Sequence, residues 1–226
     1  MPAAKPFSGP ADRRIKRALC VVAHPDDIEF FCAGTVVLLA KRGVDVDFVL
    51  ATSGDKGTEK PDVTGEQLAA MREKEQQAAA RVLGARDVTF LRYRDAELVD
   101  SLELRGKVVA SIRRTKPDVL FTFDPTPAFR QHPDHRVIGR VTLDAAWPCA
   151  RDRLTYPEAG PPHKTPEAWL FGGSRTQKVV VDVTPVLETK IDARLEHRSQ
   201  TRSASALRTR WRRMAATERF TQVDLR

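Results

Sequence analysis

Two short runs carry most of this chain's capacity for chemistry. The first is His24-Pro25-Asp26-Asp27-Ile28-Glu29 and the second is His132-Pro133-Asp134-His135. The first follows the apolar run Ala18-Leu19-Cys20-Val21-Val22, which has the pattern of a buried strand. Carboxylates beside a core strand need a partner or a metal, because burying them unpaired is costly. A solvated turn with Pro25 at its corner is the alternative. The second cluster weighs against it, since it repeats the same chemistry after another apolar run, Val119 to Phe123. Two His/Asp clusters after two strands point to one metal site built from two loops.

The donors on offer are His24, His132, His135, Asp26, Asp27, Glu29 and Asp134. A catalytic zinc site takes three protein ligands and keeps a position for water, whose pKa falls from 15.7 toward about 7. The adjacent Asp26 and Asp27 cannot easily both face one ion from a tight turn. The economical arrangement makes one a ligand and the other the general base beside the water. A spare imidazole, charged, can stabilise an oxyanion or protonate a leaving amine. Zinc is the expected ion, and Fe2+ suits the same donors. This set fits hydrolysis of an amide. The residues alone leave open which His and which Asp take which role.

The intervening elements must bring the two clusters together. Ala33 to Lys41 is apolar and ends at Arg42-Gly43, a helix stop. Val44, Val46, Phe48 and Leu50 alternate as a second strand, polar on one side. Thr64 and Gln67 form a capping-box signature for a helix that carries Leu68, Met71, Ala79, Val82 and Leu83 and stops at Gly84. Val88 to Leu91 is a third strand. Leu104, Val108 and Ile112 mark a helix face ahead of Pro117, and Pro133 suits the first position of another helix. The Pro-rich stretch from Trp147 to Pro166 is expected to be a long loop walling a pocket. Trp169 to Phe171 and Val179 to Val183 are strands, Thr184-Pro185 opens a helix, and Ser203 to Phe220 is expected to be a basic surface helix. Strand–helix alternation predicts an α/β fold, a Rossmann-like three-layer α/β/α arrangement with a mostly parallel sheet. In such sheets ligands bind outside the carboxyl ends of the strands, where both clusters fall.

The formal charge of +8 is uneven. Residues 1–17 hold five Lys/Arg against one acid, and residues 192–226 hold nine Arg against four acids. A basic excess confined to the ends, with few aromatics, argues against a nucleic-acid partner. No apolar run approaches the roughly 20 residues of a membrane span. Residues 1–17 lack a signal peptide's apolar region and read as a flexible basic tail ahead of a single domain at 18–226. The expected compartment is the cytoplasm. Cys20, Cys32 and Cys149 form no C-x-x-C and fit reduced, buried thiols. A homo-oligomer is compatible with the sequence, which does not set its subunit number.

The pair A-H-P-D-D-x-E and H-P-D-H resembles the LmbE/PIG-L-type zinc de-N-acetylases. Thr52-Ser53-Gly54-Asp55-Lys56-Gly57, Arg72-x-x-Glu75, Leu83-Gly84, Phe90-Leu91 with Asp95, His197-x-Ser199-Gln200 and Glu218-x-Phe220 look like further landmarks, so the resemblance covers roughly residues 18–220. It implies a Rossmann-like hydrolase that removes acetyl from an N-acetylglucosamine-type conjugate, a small-molecule partner. It also implies that His24, Asp27 and His135 bind zinc, that Asp26 is the general base, and that His132 faces the oxyanion and leaving nitrogen with Asp134 tuning it. Arg72 and Asp95 resemble positions that contact the sugar. Two departures stand out. Phe30-Phe31-Cys32-Ala33-Gly34 replaces a Gly-rich helix start, and Arg130 stands where some members carry a Tyr.

More local roles are also open to these residues. Arg72 and Glu75 would make a helix-surface ion pair worth a few tenths of a kcal/mol. Asp95 suits a turn, and His197 suits a structural role better than a catalytic one. Glu29 suits a loop or a supporting contact, and His163 falls in the long loop. Among functions, the alternatives are an amidase for a larger acyl or thiol-conjugate amide, and a Rossmann-like nucleotide or methyl-donor binding protein. The second lacks the expected G-x-G-x-x-G, since His24-Pro25-Asp26-Asp27 occupies that turn.

Overall fold

The computed structural model describes residues 15–127, 131–173, 179–214 and 216–226. The strands are β1 (Arg17–Val22), β2 (Asp45–Thr52), β3 (Asp87–Tyr93), β4 (Val119–Phe123), β5 (Glu167–Phe171), β6 (Val179–Asp182) and β7 (Thr217–Asp224). They form one sheet in the order β3-β2-β1-β4-β5-β7-β6. Pairing is parallel from β3 through β5, and β7 runs antiparallel to both of its neighbours. The apolar runs are continuous because both faces are covered: β4 is buried at every position and β2 at all but its first. The polar side expected of β2 is therefore absent. Asp47 is buried and held by Arg86.

The helices are α1 (Asp27–Phe31), α2 (Ala33–Lys41), α3 (Gly65–Leu83), α4 (Leu102–Thr115), α5 (Pro133–Ala146), α6 (Leu187–Glu196) and α7 (Ala204–Met214). α4 and α5 pack together on one side of the sheet, while α3 packs with α2 and α6 on the other. The Thr64/Gln67 capping box forms, and Gly84 ends α3 in the left-handed conformation at φ 78°. The Thr184-Pro185 helix opens with a 3-10 turn before α6.

Strand order reverses between β1 and β4, which is where ligands bind in open parallel sheets. The first His/Asp cluster follows β1 and the second follows β4, so both reach that point. Gly139 fixes the approach of α5 to β4, because a Cβ there would run into the Phe123 carbonyl. That contact sets the helix carrying Asp134 and His135 against the strand end.

Two expectations are corrected. Ser203 to Phe220 is not one helix: α7 ends at Met214, and residues 217–224 are strand β7, inserted between β5 and β6. Alternation within Glu218-Arg219-Phe220 buries Glu218 and Phe220 and exposes Arg219, a strand period hidden by the surrounding arginines. Among the described residues, the Pro-rich stretch makes no contact with the carboxyl-edge clusters. It wraps Arg113, whose guanidinium donates to the carbonyls of Cys149, Ala150, Asp152, Thr155, Tyr156 and Gly160. His163 in that stretch is 2.9 Å from the Pro117 carbonyl, ahead of β4 and away from the site. Residues 1–14 of the expected tail lie outside the described residues, as does Arg130. Arg17 already belongs to β1.

Candidate active site

Asp27 is oriented by the backbone. One carboxylate oxygen, Oδ2, accepts the N–H groups of His24 (2.8 Å) and Ala23 (3.1 Å). That leaves Oδ1, which lies 3.0 Å from His135 Nε2. His135 Nε2 in turn is 3.2 Å from His24 Nδ1. Two ring nitrogens and one carboxylate oxygen thus converge, and His24, Asp27 and His135 form a group that can hold a metal ion. Two nitrogens facing each other at hydrogen-bond distance need a shared proton or a cation between them. The N,N,O donor set suits a catalytic zinc.

The far nitrogen of His24 is also fixed. Nε2 lies 3.1 Å from Asp134 Oδ2 and 3.1 Å from Asp95 Oδ1. Asp134 is fully buried and accepts the N–H groups of Ala96 (2.7 Å) and Leu98 (3.3 Å). A carboxylate behind a ligating imidazole sets its tautomer and raises its basicity. Burial opposes a charge on His24, but the hydrogen bonds to Asp134, Asp27 and Asp95 outweigh it and push its pKa up to about 12. Burial would likewise raise the Asp27 pKa. Its interactions with the His135 and His24 imidazoles instead hold it well below the usual carboxylate range. His135 is locked by stacking on Phe123, with ring centroids 3.7 Å apart and planes within 10°.

Asp26 stands at the corner between β1 and α1 with φ 87°, a left-handed conformation unusual outside glycine. Its N–H donates to Gln76 Oε1 at 2.9 Å. Gln76 Nε2 donates to Glu29 Oε1 at 3.1 Å, and Glu29 Oε2 lies 3.2 Å from His197 Nε2. The Asp26 carboxylate is 3.7 Å from Arg72 and 3.8 Å from Arg194. Burial pushes its pKa up to about 6, with Arg72 opposing and Asp27 reinforcing the shift. A carboxylate titrating near neutrality is suited to general base work.

His132 is the N-cap of α5, and its Nδ1 accepts the N–H of Asp134 at 3.2 Å. This corrects the expected charged imidazole. An accepting Nδ1 carries no proton, and burial together with the nearby positive His24 lowers the His132 pKa. Asp134 is 4.0 Å from His132 Nδ1, farther than from His24. A second donor group, His24, His132 and Asp134, shares the His24 ring with the first.

Arg72 makes no pair with Glu75 among the described contacts. Its guanidinium donates to the carbonyls of Pro25 (2.6 Å) and Gly54 (3.3 Å), holding the loops after β1 and β2. Gly54, at φ 64°, leaves room for that guanidinium where a side chain would collide. Glu75 instead accepts the N–H and Oγ of Ser199, each at 2.7 Å. Asp95 is buried beside His24, and its N–H donates to Asp55 Oδ1 at 2.8 Å. Phe31 stacks on Phe171, while Phe30 is half exposed against Trp211.

Gln76 and Arg194 were not singled out from the sequence. A signal existed for Gln76: it lies four residues after Arg72 on the same buried stripe as Leu68, Ala79 and Leu83. Two polar residues on an apolar helix face need buried partners. Arg194 carried no such mark among the many arginines near the end of the chain.

Residues 19–146 match the family model for PIG-L, GlcNAc-PI de-N-acetylase. The chain is 31% identical to a diacetylchitobiose deacetylase of Thermococcus kodakarensis, over 82% of this chain and 70% of that protein. It is 33% identical to a 1D-myo-inositol 2-acetamido-2-deoxy-alpha-D-glucopyranoside deacetylase of Rhodococcus erythropolis, over 67% of this chain and 59% of that one, so it spans about three-fifths of that relative's length. Among solved structures, the N,N'-diacetylchitobiose deacetylase of Pyrococcus horikoshii superimposes with a TM-score of 0.86 at 29% identity, covering 93% of this chain and 85% of that one.

Proposed function

The chain belongs to the PIG-L family of GlcNAc-PI de-N-acetylases, and on that footing we propose that it is a metal-dependent hydrolase that removes the N-acetyl group from an N-acetylglucosamine-type conjugate. The observation that carries the reading is the convergence of His24 Nδ1, Asp27 Oδ1 and His135 Nε2, with Asp26 next in sequence and titrating near 6. In this proposal His24, Asp27 and His135 hold a zinc ion. Such an ion supplies Lewis acidity and a water acidic enough to lose a proton near neutral pH.

The chain's own residues do the rest. Asp26 takes the proton of the attacking water as that oxygen bonds to the acetyl carbon. With a pKa near 6 it can then give the proton to the departing nitrogen, which leaves as a neutral amine. His132, its Nδ1 held by the Asp134 amide, presents Nε2–H as a neutral donor to the developing oxyanion. Asp134 and Asp95 fix His24. Arg72 fixes the Pro25 carbonyl and so the turn bearing Asp26. Sugar contact by Arg72 and Asp95 remains part of the proposal, supported by their place beside Asp26 and His24. No described helix is long and apolar enough to cross a membrane. A cytoplasmic location is part of the proposal.

The test is acetate release from a panel of N-acetylated sugars by zinc-loaded protein. Release from N-acetylglucosaminides supports the assignment. Hydrolysis confined to longer acyl amides would favour the amidase reading.

A further inference from the structure

Helix α1 runs from Asp27 to Phe31, so its last residue stands one turn beyond Asp27 on the same face. That face carries the Asp27 carboxylate to His135. Phe31 follows it there. Its ring meets the His135 ring edge-to-face, with centroids 6.3 Å apart and planes at 86°.

Two further rings hold Phe31 in place. It stacks on Phe171, with centroids 5.2 Å apart and planes at 14°, and meets Phe123 edge-on at 5.1 Å. Those two residues end β5 and β4 and are closed to solvent, at 1% and 0% exposure. Of the three, Phe31 alone keeps part of its surface open. The result is a rigid apolar surface beside a proposed metal ligand. It belongs to the run Phe30-Phe31-Cys32, which stands in place of a Gly-rich helix start.

An amide presents two different groups on either side of its scissile bond. The nitrogen side carries the sugar, whose hydroxyls suit the polar groups Asp26, Arg72 and Asp95. The carbonyl side carries an alkyl group, which suits an apolar surface. Around the converging ligands, the Phe31 ring is that surface.

We propose that Phe31 is the wall of the acyl pocket and sets the length of the acyl group, so that acetyl is accepted and longer chains are turned away. The inference rests on the amino-sugar reading and concerns the opposite side of the scissile bond. The acetyl methyl lies against the Phe31 ring. Further carbons must displace a ring that Phe171 and Phe123 already hold, and a packed ring yields only at a cost.

The test measures kcat/KM of the zinc-loaded full chain on N-acetyl-, N-propionyl- and N-butyrylglucosaminides that share one aglycone. The unmodified protein should prefer acetyl to butyryl by about tenfold or more. Phe31→Ala should cut that preference by about tenfold or more, the scale on which a pocket discriminates methylenes. Phe30→Ala, whose lost ring lay against Trp211, should keep it. Phe31→Leu leaves an apolar side chain in the cluster and gives up the ring. It should shift the preference in the same direction, and it decides the matter where Phe31→Ala does not fold or hold zinc. Calorimetry with acetohydroxamate and butyrohydroxamate, which chelate the ion without a sugar, should show the same length dependence. Butyryl turned over as fast as acetyl by the unmodified protein, or a preference unchanged in a folded Phe31 variant, would overturn the proposal. If no glucosaminide is hydrolysed, the amino-sugar reading fails and the hydroxamates decide. Tighter acetohydroxamate binding whose advantage is lost in Phe31→Leu would support the acyl wall, and binding indifferent to chain length would overturn it.

Discussion

The backbone N–H of Asp26 donates to Oε1 of Gln76 at 2.9 Å, across fifty positions of sequence. This bond holds a non-glycine residue at φ 87° in the turn that presents the candidate base. Left-handed backbone costs an L-residue roughly 1–2 kcal/mol, so the turn needs such a tether. Gln76→Leu removes the tether and leaves Glu29 Oε1 without its donor. The expected result is a loss of about 2–3 kcal/mol in urea unfolding, with kcat falling while zinc content is retained. Unchanged kcat at reduced stability would show that Gln76 only packs the core.

The raised pKa of Asp26 has consequences for both stability and rate. Its folded-state value of about 6 lies above the ordinary 3.8, so the stability it contributes is fully present below 3.8 and lost as pH rises through 6. Asp26→Asn keeps the neutral form at every pH. In metal-free protein at pH 8 it should be more stable than the unmodified chain, by on the order of 3 kcal/mol for the two-unit shift, and the gain should fade toward pH 4. The same variant should retain zinc and lose roughly 10²–10⁴ in kcat. The unmodified enzyme should lose activity as pH falls through about 6. A gain over the unmodified chain that is no larger at pH 8 than at pH 4 would mean that the carboxylate is not penalised by burial.

Metal binding should release protons. With its pKa pushed up to about 12, His24 is protonated in the metal-free protein at neutral pH, and a ligand must be neutral. Zinc affinity should therefore rise about tenfold per pH unit between pH 6 and 8, with about one proton released per ion in calorimetry across buffers of different ionisation enthalpy. Affinity independent of pH would rule out a protonated His24.

His132 is both cap and donor. His132→Ala should cost about 1 kcal/mol of stability through the lost cap, keep zinc, and lower kcat by roughly 10²–10³ through the lost oxyanion donor. His132→Asn can restore the cap and not the donor at the same position. Stability recovering in His132→Asn while kcat stays low would separate the two roles. Recovery of kcat with stability would assign His132 to the cap alone.

Much of this architecture is legible in the chain. β1 and β4 stand out as apolar runs, Thr64 and Gln67 mark the start of α3, and the two His/Asp clusters sit at strand ends that the alternation places together. What stays hidden depends on long-range partners. The resemblance marks Glu218 but not its partners, the N–H groups of Gly34 and Thr35 at the start of α2 and the Lys190 ammonium. Asp134 reads as a neighbour of His132, yet the loop after β3 donates Ala96 and Leu98 N–H to it and turns it toward His24. Arg113 gives no sign of organising the Pro-rich stretch, because its partners there are carbonyls, which every residue has.

The proposed mechanism depends first on His24, Asp27 and His135 holding one catalytic ion. The direct measurement is zinc titration of chelator-treated protein, reading bound metal and acetate release from an N-acetylglucosaminide together. Without metal no acetate should be released, and activity should rise to a plateau at about one ion per chain. Asp27→Ala should neither bind zinc nor recover activity. Full turnover by metal-free protein, or unimpaired zinc binding and turnover in Asp27→Ala, would contradict that mechanism.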